Sequence, residues 1–402
     1  MEGMRMNKQA LTAALRANLG WFERSGVMVP ADGLWGVAER IALRGNSSMD
    51  RIYRSFPAWT EFAGHSVIEP RRADCNFEAA LLFLLAAEVF KSKRRRGVAV
   101  NILDFLYCRS GLLNRFPADE TLLGAWFWSH VKRTIWFDDN SWNCMVPLLI
   151  SEKYPELDRK YALEKWALTL ADSLAAAFKT HFQPAEGFKP VWDGNLELPH
   201  WGALVCMALS KAYTVSPKPE YRKAIERHHA HLDANKGSFI VSEQAYAMLG
   251  SACCHAALKD GKFKRLAEYF GDSLIARMDP ATGNIPAEHR EAPVGPHLAD
   301  TIYTINWALL GFQNLHAVSP KSKYREAFLK LLALLLRIQD KSPGRHVHGC
   351  WRGMYDLNIG AWGGGDCYEG GANSVYTGWT NAPIASCIAF EVLGASLANG
   401  FK

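Results

Sequence analysis

The chain has 402 residues and a formal charge of +6, with 49% hydrophobic, 21% charged and 12% aromatic residues. That is a soluble globular composition with ample apolar material for a core. The charge is modest for the length. Its densest basic run, Lys91-Ser92-Lys93-Arg94-Arg95-Arg96, reads as a helix C-terminus and solvated connection without the groove-reading surroundings of a nucleic-acid binder, so no nucleic-acid partner is expected.

From the amino terminus, Met1 to Lys8 lead into an amphipathic segment rather than the apolar core of a signal peptide. The longest apolar stretches, residues 79–87 and 331–336, are too short to span a bilayer, so no membrane partner is expected. Nine cysteines, an odd number without framework spacing, fit reduced thiols and predict a cytoplasmic location.

Six times along the chain a polar or aromatic loop runs straight into an apolar segment. The six junctions are Asp74-Cys75-Asn76-Phe77-Glu78, Asp138-Asp139-Asn140-Ser141-Trp142, Leu198-Pro199-His200-Trp201-Gly202, Val241-Ser242-Glu243-Gln244-Ala245-Tyr246, Leu298-Ala299-Asp300-Thr301-Ile302-Tyr303 and Tyr376-Thr377-Gly378-Trp379-Thr380-Asn381. They recur every roughly 45 to 80 residues, the spacing of a helical hairpin plus a long loop. The segments that follow (77–90, 142–150, 202–212, 245–258, 304–315 and 382–393) are mostly apolar all round, which predicts interior helices. Segments 158–178, 220–233, 262–278 and 324–339 carry charge on one face, which predicts an outer layer. Leu163, Trp166, Leu170 and Leu174 mark the apolar stripe of the first of these. Short strands fit only the long loops around Val191-Trp192 and residues 283–285.

This pattern predicts an all-α (α/α)6 toroid of six helical hairpins, with inner and outer rings, forming one domain over residues 1–402. An open superhelix of helical pairs is the rival. It gives no reason for fourteen tryptophans to crowd toward loops and helix starts. No Pro/Gly/Ser linker divides the chain.

The adjacent carboxylates Asp138 and Asp139 are the sharpest chemical signal. One aspartate is explained by N-capping, but two side by side raise each other's pKa, and a raised carboxyl can act as a general acid near neutral pH. Asp139, one residue closer to the helix, is the preferred pocket-facing member. The second signal is the glycine-dense stretch from His346 to Asn381, whose aromatics and carboxylates suit the wall of a sugar pocket. Glu369 in this stretch is the expected partner carboxylate, with Glu243 next. Around the same cavity the sequence places Asp74, Tyr376 and Trp379, and Trp142, Trp192 and Trp362 are expected to join Trp379 in stacking on sugar rings. Arg72 and Arg352, in polar loops, suit bidentate pairing with a substrate carboxylate or an internal ion pair. His228-His229-Ala230-His231 reads as a solvated helix face, and Cys253-Cys254 as core packing. His346-Val347-His348 lacks a third ligand at defined spacing, so no metal and no cofactor are expected.

In its hairpin rhythm the chain resembles the six-hairpin glycosidase superfamily. The resemblance is more specific at Gly36-Val37-Ala38-Glu39-Arg40, at Arg72-Ala73-Asp74-Cys75, and from Trp351-Arg352-Gly353 to Thr377-Gly378-Trp379-Thr380, which are similar to segments of bacterial β-glucuronidase-like and unsaturated-glucuronyl-hydrolase-like enzymes. The paired Asp138-Asp139 is similar to the adjacent aspartates of toroidal α-mannanases. The resemblance implies a glycoside hydrolase that cleaves a short, uronate-bearing oligosaccharide by carboxylate acid–base chemistry. It leaves three alternatives open: a lyase, a non-catalytic glycan-binding toroid, and an epimerase or isomerase of the N-acylglucosamine-epimerase-like type. The last would draw its proton shuttles from His200, His255, His289, His297, His346 and His348.

Overall fold

The computed structural model describes residues 7–43, 53–54, 58–130, 132–288, 295–364 and 369–400. In chain order the helices are α1 (Lys8–Arg24), α2 (Ala73–Phe90), α3 (Lys93–Asp104), α4 (Phe137–Lys153), α5 (Pro155–Tyr161), α6 (Leu163–His181) and α7 (Pro199–Val215). They continue with α8 (Pro219–Asn235), α9 (Val241–Leu258), α10 (Gly261–Arg277), α11 (Ile305–Val318), α12 (Ser322–Ile338) and α13 (Ala382–Leu393). The fold class is all-α, as the sequence pattern predicts. No described helix is long and apolar enough to cross a membrane.

Six helices, α2, α4, α7, α9, α11 and α13, start at or just after the six polar junctions and are buried over most of their length. Each packs on the next, and α13 packs back on α2. That last contact closes the ring and excludes the open superhelix. Outside it, α3 and α12 each lean chiefly on one inner helix, α6, α8 and α10 each touch two neighbouring inner helices, and α1 backs α13. The outer helices show why they lie outside: α12 buries Leu331, Leu332, Leu334 and Leu335 while Lys330 and Arg337 face solvent. The chain ends are tied at the closure, where the Asn18 side-chain amide donates to Asn381 Oδ1 at 2.9 Å and Trp21 Nε1 donates to the His346 carbonyl at 2.8 Å.

Inner helices approach closely where a side chain is missing. A Cβ on Gly250 of α9 would sit 2.5 Å from the Ala203 carbonyl oxygen of α7. A Cβ on Gly202 would sit 2.2 Å from the His228 ring. His228 and His229 are therefore not a solvated face: both are buried, at 0% and 2% exposure, and burial drives their pKa values down and keeps them neutral. Cys253 and Cys254 are buried in the core.

Three local expectations differ. The segment predicted as one helix over 158–178 is broken at Ala162, which adopts φ 53 between α5 and α6. The basic run ends one helix and begins another: Lys91 takes the left-handed cap of α2, and the Ser92 hydroxyl accepts from Arg95 N–H to start α3. Strands form neither at 191–192 nor at 283–285. Instead β1 (Arg40–Leu43), β2 (Trp59–Phe62), β3 (His65–Ile68) and β7 (Ser374–Tyr376) make an antiparallel sheet in the order β2-β3-β1-β7. A second sheet joins β4 (Leu298–Asp300), β5 (Met354–Asp356) and β6 (Ala361–Trp362). Two of the pairings are long-range, as in the Arg40–Tyr376 and Asp300–Met354 pairs, and leave no sign in local patterning, whereas β2–β3 and β5–β6 are local hairpins that sequence reasoning missed.

Gly250→Val should be destabilising by about 1–3 kcal/mol, because the new side chain meets fixed backbone rather than a movable group. A lower denaturant midpoint at unchanged slope would show it, and an unaltered midpoint would mean the α7–α9 seam has slack.

Candidate active site

The starts of the inner helices converge on one open cavity of about 520 Å³. Its wall carries Asp138 and Asp139 from α4, His200 and Trp201 from α7, Glu243 from α9, Tyr303 before α11, Tyr376 and Trp379 before α13, Arg72 before α2, and Glu39 and Arg40 at β1. Helix N-termini carry partial positive charge, which suits a wall so rich in carboxylates.

Neither aspartate of the pair is a helix cap. The N-cap of α4 is Trp136 without a side-chain cap bond, and both aspartates lie in the first turn. Asp138 Oδ2 stands 2.9 Å from His200 Nε2, while the His200 backbone N–H donates to Glu243 Oε2 at 2.7 Å. The imidazole is stacked between Trp201 and Tyr246, at centroid distances of 4.6 and 4.7 Å.

Arg72 holds the other aspartate. Its Nη2 donates to Asp139 Oδ1 at 2.6 Å and to Asp74 Oδ2 at 2.7 Å, and its Nη1 donates to Glu39 Oε1 at 3.3 Å. Beside it, Arg40 grips Glu39 through two bonds of 3.0 and 2.9 Å, donates to Glu369 Oε2 at 3.0 Å, and lies 3.7 Å over the Tyr376 ring. Glu369 also accepts from the hydroxyls of Tyr303 and Tyr376. Below the floor, Trp379 Nε1 donates to Asp74 Oδ2 at 2.9 Å and its backbone N–H to Glu78 Oε2 at 3.0 Å. These bonds hold Trp379 at φ 43, a conformation an aromatic residue adopts only under constraint.

The charges separate the roles. Burial pushes the Asp139 carboxyl well above the usual range; Arg72 opposes this, while Asp74 and Asp138 add to it. Glu78 is raised well above its ordinary value by burial and by Asp74. Glu369 goes the other way: burial would raise it, but Arg40 and the two tyrosines outweigh burial and keep it ionised. His200 is raised, because its contact with Asp138 and the charges of Asp138, Glu243 and Glu369 outweigh burial. The wall therefore sets one acid, Asp139, whose burial favours the protonated form, beside a histidine that favours the charged form.

Several residues expected at the cavity lie elsewhere. Trp142 is 3% exposed in the core against Trp307, because it falls on the ring-facing side of α4 below the mouth. Trp192 is 2% exposed and stacks on Phe137 at 5.1 Å. Arg352 is paired with Asp340 at 2.6 Å in a separate cleft that Trp362 also lines. Asp74 lies beneath the floor and reaches the cavity only through Arg72 and Trp379. Of the histidines, His200 alone among the described residues lines the cavity; His346 stacks on His65 instead. His289 and residues 365–368 of the glycine-dense stretch lie outside the described residues. Sequence reasoning left out Glu39, Arg40, Trp128, Trp136, Asp193, Trp201 and Tyr303 as site residues. The signals for His200, Trp201 and Tyr303 lay in the helix-start motifs, and that for Glu39 and Arg40 in the segment that carried the resemblance.

Asp74, Cys75 and Glu78 place potential ligand atoms within 4.8 Å of one another. The donors do not suit a cation: Asp74 is bound by Arg72, and burial raises the Cys75 thiol well above its ordinary value.

No protein-family model and no curated protein matches the sequence. Solved structures do. A sugar epimerase from a ruminal bacterium is 10% identical with a TM-score of 0.64, covering 97% of this chain and 100% of that one. The unsaturated glucuronyl hydrolase of Bacillus sp. GL1 is 15% identical at 0.61, over 94% and 96%. An inactive variant of the α-1,6-mannanase of a Salegentibacter species, with two neighbouring aspartates changed to asparagine and α-1,6-mannotriose bound, is 9% identical at 0.57, over 96% and 98%. The protein is a six-hairpin (α/α)6 toroid.

Asp138→Asn should lower the His200 pKa from its raised position, since the largest force opposing burial is removed. Proton NMR of the His200 ring checks it, and an unchanged titration would dissolve the pair as an electrostatic unit. The sign for stability follows: a raised histidine contributes fully below the ordinary value of 6.5, and the contribution is lost as pH rises through the folded value.

Proposed function

We propose that this toroid is a glycoside hydrolase acting on a short oligosaccharide, with the Asp138–Asp139 pair at the reacting bond. The observation that carries this is the placement of Asp139: a wall carboxyl in a first helical turn, not used as a cap, beside Asp138 and in surroundings whose burial favours its protonated form. A carboxylic acid so placed can protonate a departing glycosidic oxygen. Trp128, Trp136, Trp201 and Trp379 offer flat faces to sugar rings. The mannanase variant supports the reading, since it is an inactive form with two neighbouring aspartates replaced.

Hydrolases, epimerases and isomerases share this fold, so the fold does not choose among them. Paired histidine shuttles are disfavoured here by the single histidine at the described wall. The uronate expected from the resemblance fits the charges less well than a neutral sugar. Arg40 and Arg72 are each shared among buried carboxylates, Arg352 lies in another cleft, and Lys132 stands at the exposed rim. The described cysteines are unpaired, which supports a reducing compartment.

A panel of aryl glycosides and uronides, with products weighed by mass spectrometry, tests the reading. Water added to the product is expected; conserved mass or an ultraviolet-absorbing product would overturn it in favour of an isomerase or a lyase. Asp139→Asn should stay folded and lose about 10²–10⁴-fold in rate. Full activity in both Asp138→Asn and Asp139→Asn would move the chemistry off this pair. Ligand should also shift tryptophan fluorescence, with Trp379→Phe diminishing the response and Trp192→Phe leaving it intact.

A further inference from the structure

The carboxylates around the cavity are not equivalent. Glu39 is fully buried between Arg40 and Arg72, Glu369 is locked by Arg40 and two tyrosines, and Asp139 is bound to Arg72. Asp138 faces His200, and Glu243 accepts the His200 backbone N–H. Asp193 is the exception. It lines the same cavity, is half-buried, and makes no side-chain hydrogen bond or ion pair among the described residues.

Its backbone is nevertheless fixed. Asp193 N–H donates to the Ile135 carbonyl at 2.7 Å, and its own carbonyl accepts from Phe137 N–H at 3.2 Å, forming a bridge to Trp136. The flanking residues lock this pedestal. Trp192 is buried and stacks on Phe137, with 13° between the planes. Gly194, at φ 111, passes under Trp201 where a Cβ would lie 2.5 Å from the indole. An uncommitted carboxylate on a rigid mount, beside the start of the helix that carries Asp138 and Asp139, has the features of a reacting group rather than a structural one.

We propose that Asp193, rather than Glu369, is the second catalytic carboxylate, the base that takes a proton from the attacking water. The inference rests on the hydrolase reading above. In the step, the water oxygen bonds to the anomeric carbon while one of its protons passes to Asp193. The glycosidic carbon–oxygen bond breaks, its electron pair stays on the leaving oxygen, and that oxygen takes the proton held by Asp139. Turnover leaves Asp193 protonated and Asp139 ionised, and exchange with solvent restores both. Asp193 is itself raised above the ordinary aspartate value by burial and then by Asp138, which makes it a stronger base than an unperturbed carboxylate.

The test is Asp193→Asn, measured on whichever glycoside the wild type hydrolyses. Loss of about 10²–10⁴-fold in kcat, with KM essentially unchanged and the acid limb of the pH–rate profile removed, is expected. Asp193→Ala should lose as much and recover turnover in sodium azide, releasing a glycosyl azide, a rescue that a structural role would not allow. Wild-type kcat in Asp193→Asn, a change in KM alone, or loss of fold in both variants would overturn Asp193 and leave the hydrolase reading standing. A wild type that hydrolyses no glycoside would overturn both, so the two failures are distinguishable.

Discussion

The mouth of the toroid depends on the guanidinium of Arg72. It touches Glu39 at β1, Asp74 at the start of α2 and Asp139 at the start of α4, and so ties three distant segments to one cationic group. All four residues are buried, with Arg72 itself 6% exposed. Charges taken from water are costly unless paired, and removing the shared partner would leave several carboxylates uncompensated, a loss of about 3–5 kcal/mol even for one broken pair. Arg40 repeats the device one step away, joining Glu39 to Glu369 and roofing Tyr376.

This charge network exists because the ring closes. Each inner helix brings its first turn to the same end, so groups from residue 39 to residue 379 share a single wall. The N-terminal dipoles converging there reduce the cost of keeping acids at the mouth. With two guanidiniums already shared among the buried acids, burial and the neighbouring carboxylates push Asp139 and Glu78 well above the ordinary range. Glu369, better solvated by donors, stays ionised. The same wall therefore contains a proton-holding acid and fixed anions, a division of roles created by environment and not by residue type.

Rigidity at the mouth comes from fitted backbone. Gly378 leaves room for the Glu78 carboxylate, which a Cβ would approach at 2.3 Å, and the next residue, Trp379, is held at positive φ by its backbone N–H and indole N–H, which donate to Glu78 and Asp74, and by its carbonyl, which accepts from the Asn306 amide. Gly194 does the same below Trp201. At both places a glycine lets the loop pass where a side chain would collide, against Glu78 and Cys75 in one case and the Trp201 indole in the other.

By itself the sequence determined the all-α class, the six inner helices, four of the outer ones and the polar helix starts that gather at one mouth, while α3 and the α5–α6 break went unread. Those properties follow from local periodicity and from polar residues placed just before apolar runs, both readable along a single stretch of chain. The adjacency of Asp138 and Asp139 was legible for the same reason, as were Tyr376, Trp379 and Glu243 at helix starts. Only the tertiary structure decided which tryptophans face the cavity and which, like Trp142 and Trp192, sink into the core, because that depends on the rotation of a helix or loop against its neighbours. It alone showed that Arg72 and Arg40 are occupied by internal acids, that Arg352 belongs to another cleft, and that Asp193 stands uncommitted at the wall. Pairing among residues tens to hundreds of positions apart leaves no local trace, and burial, the largest influence on the acids here, is a property of the closed ring.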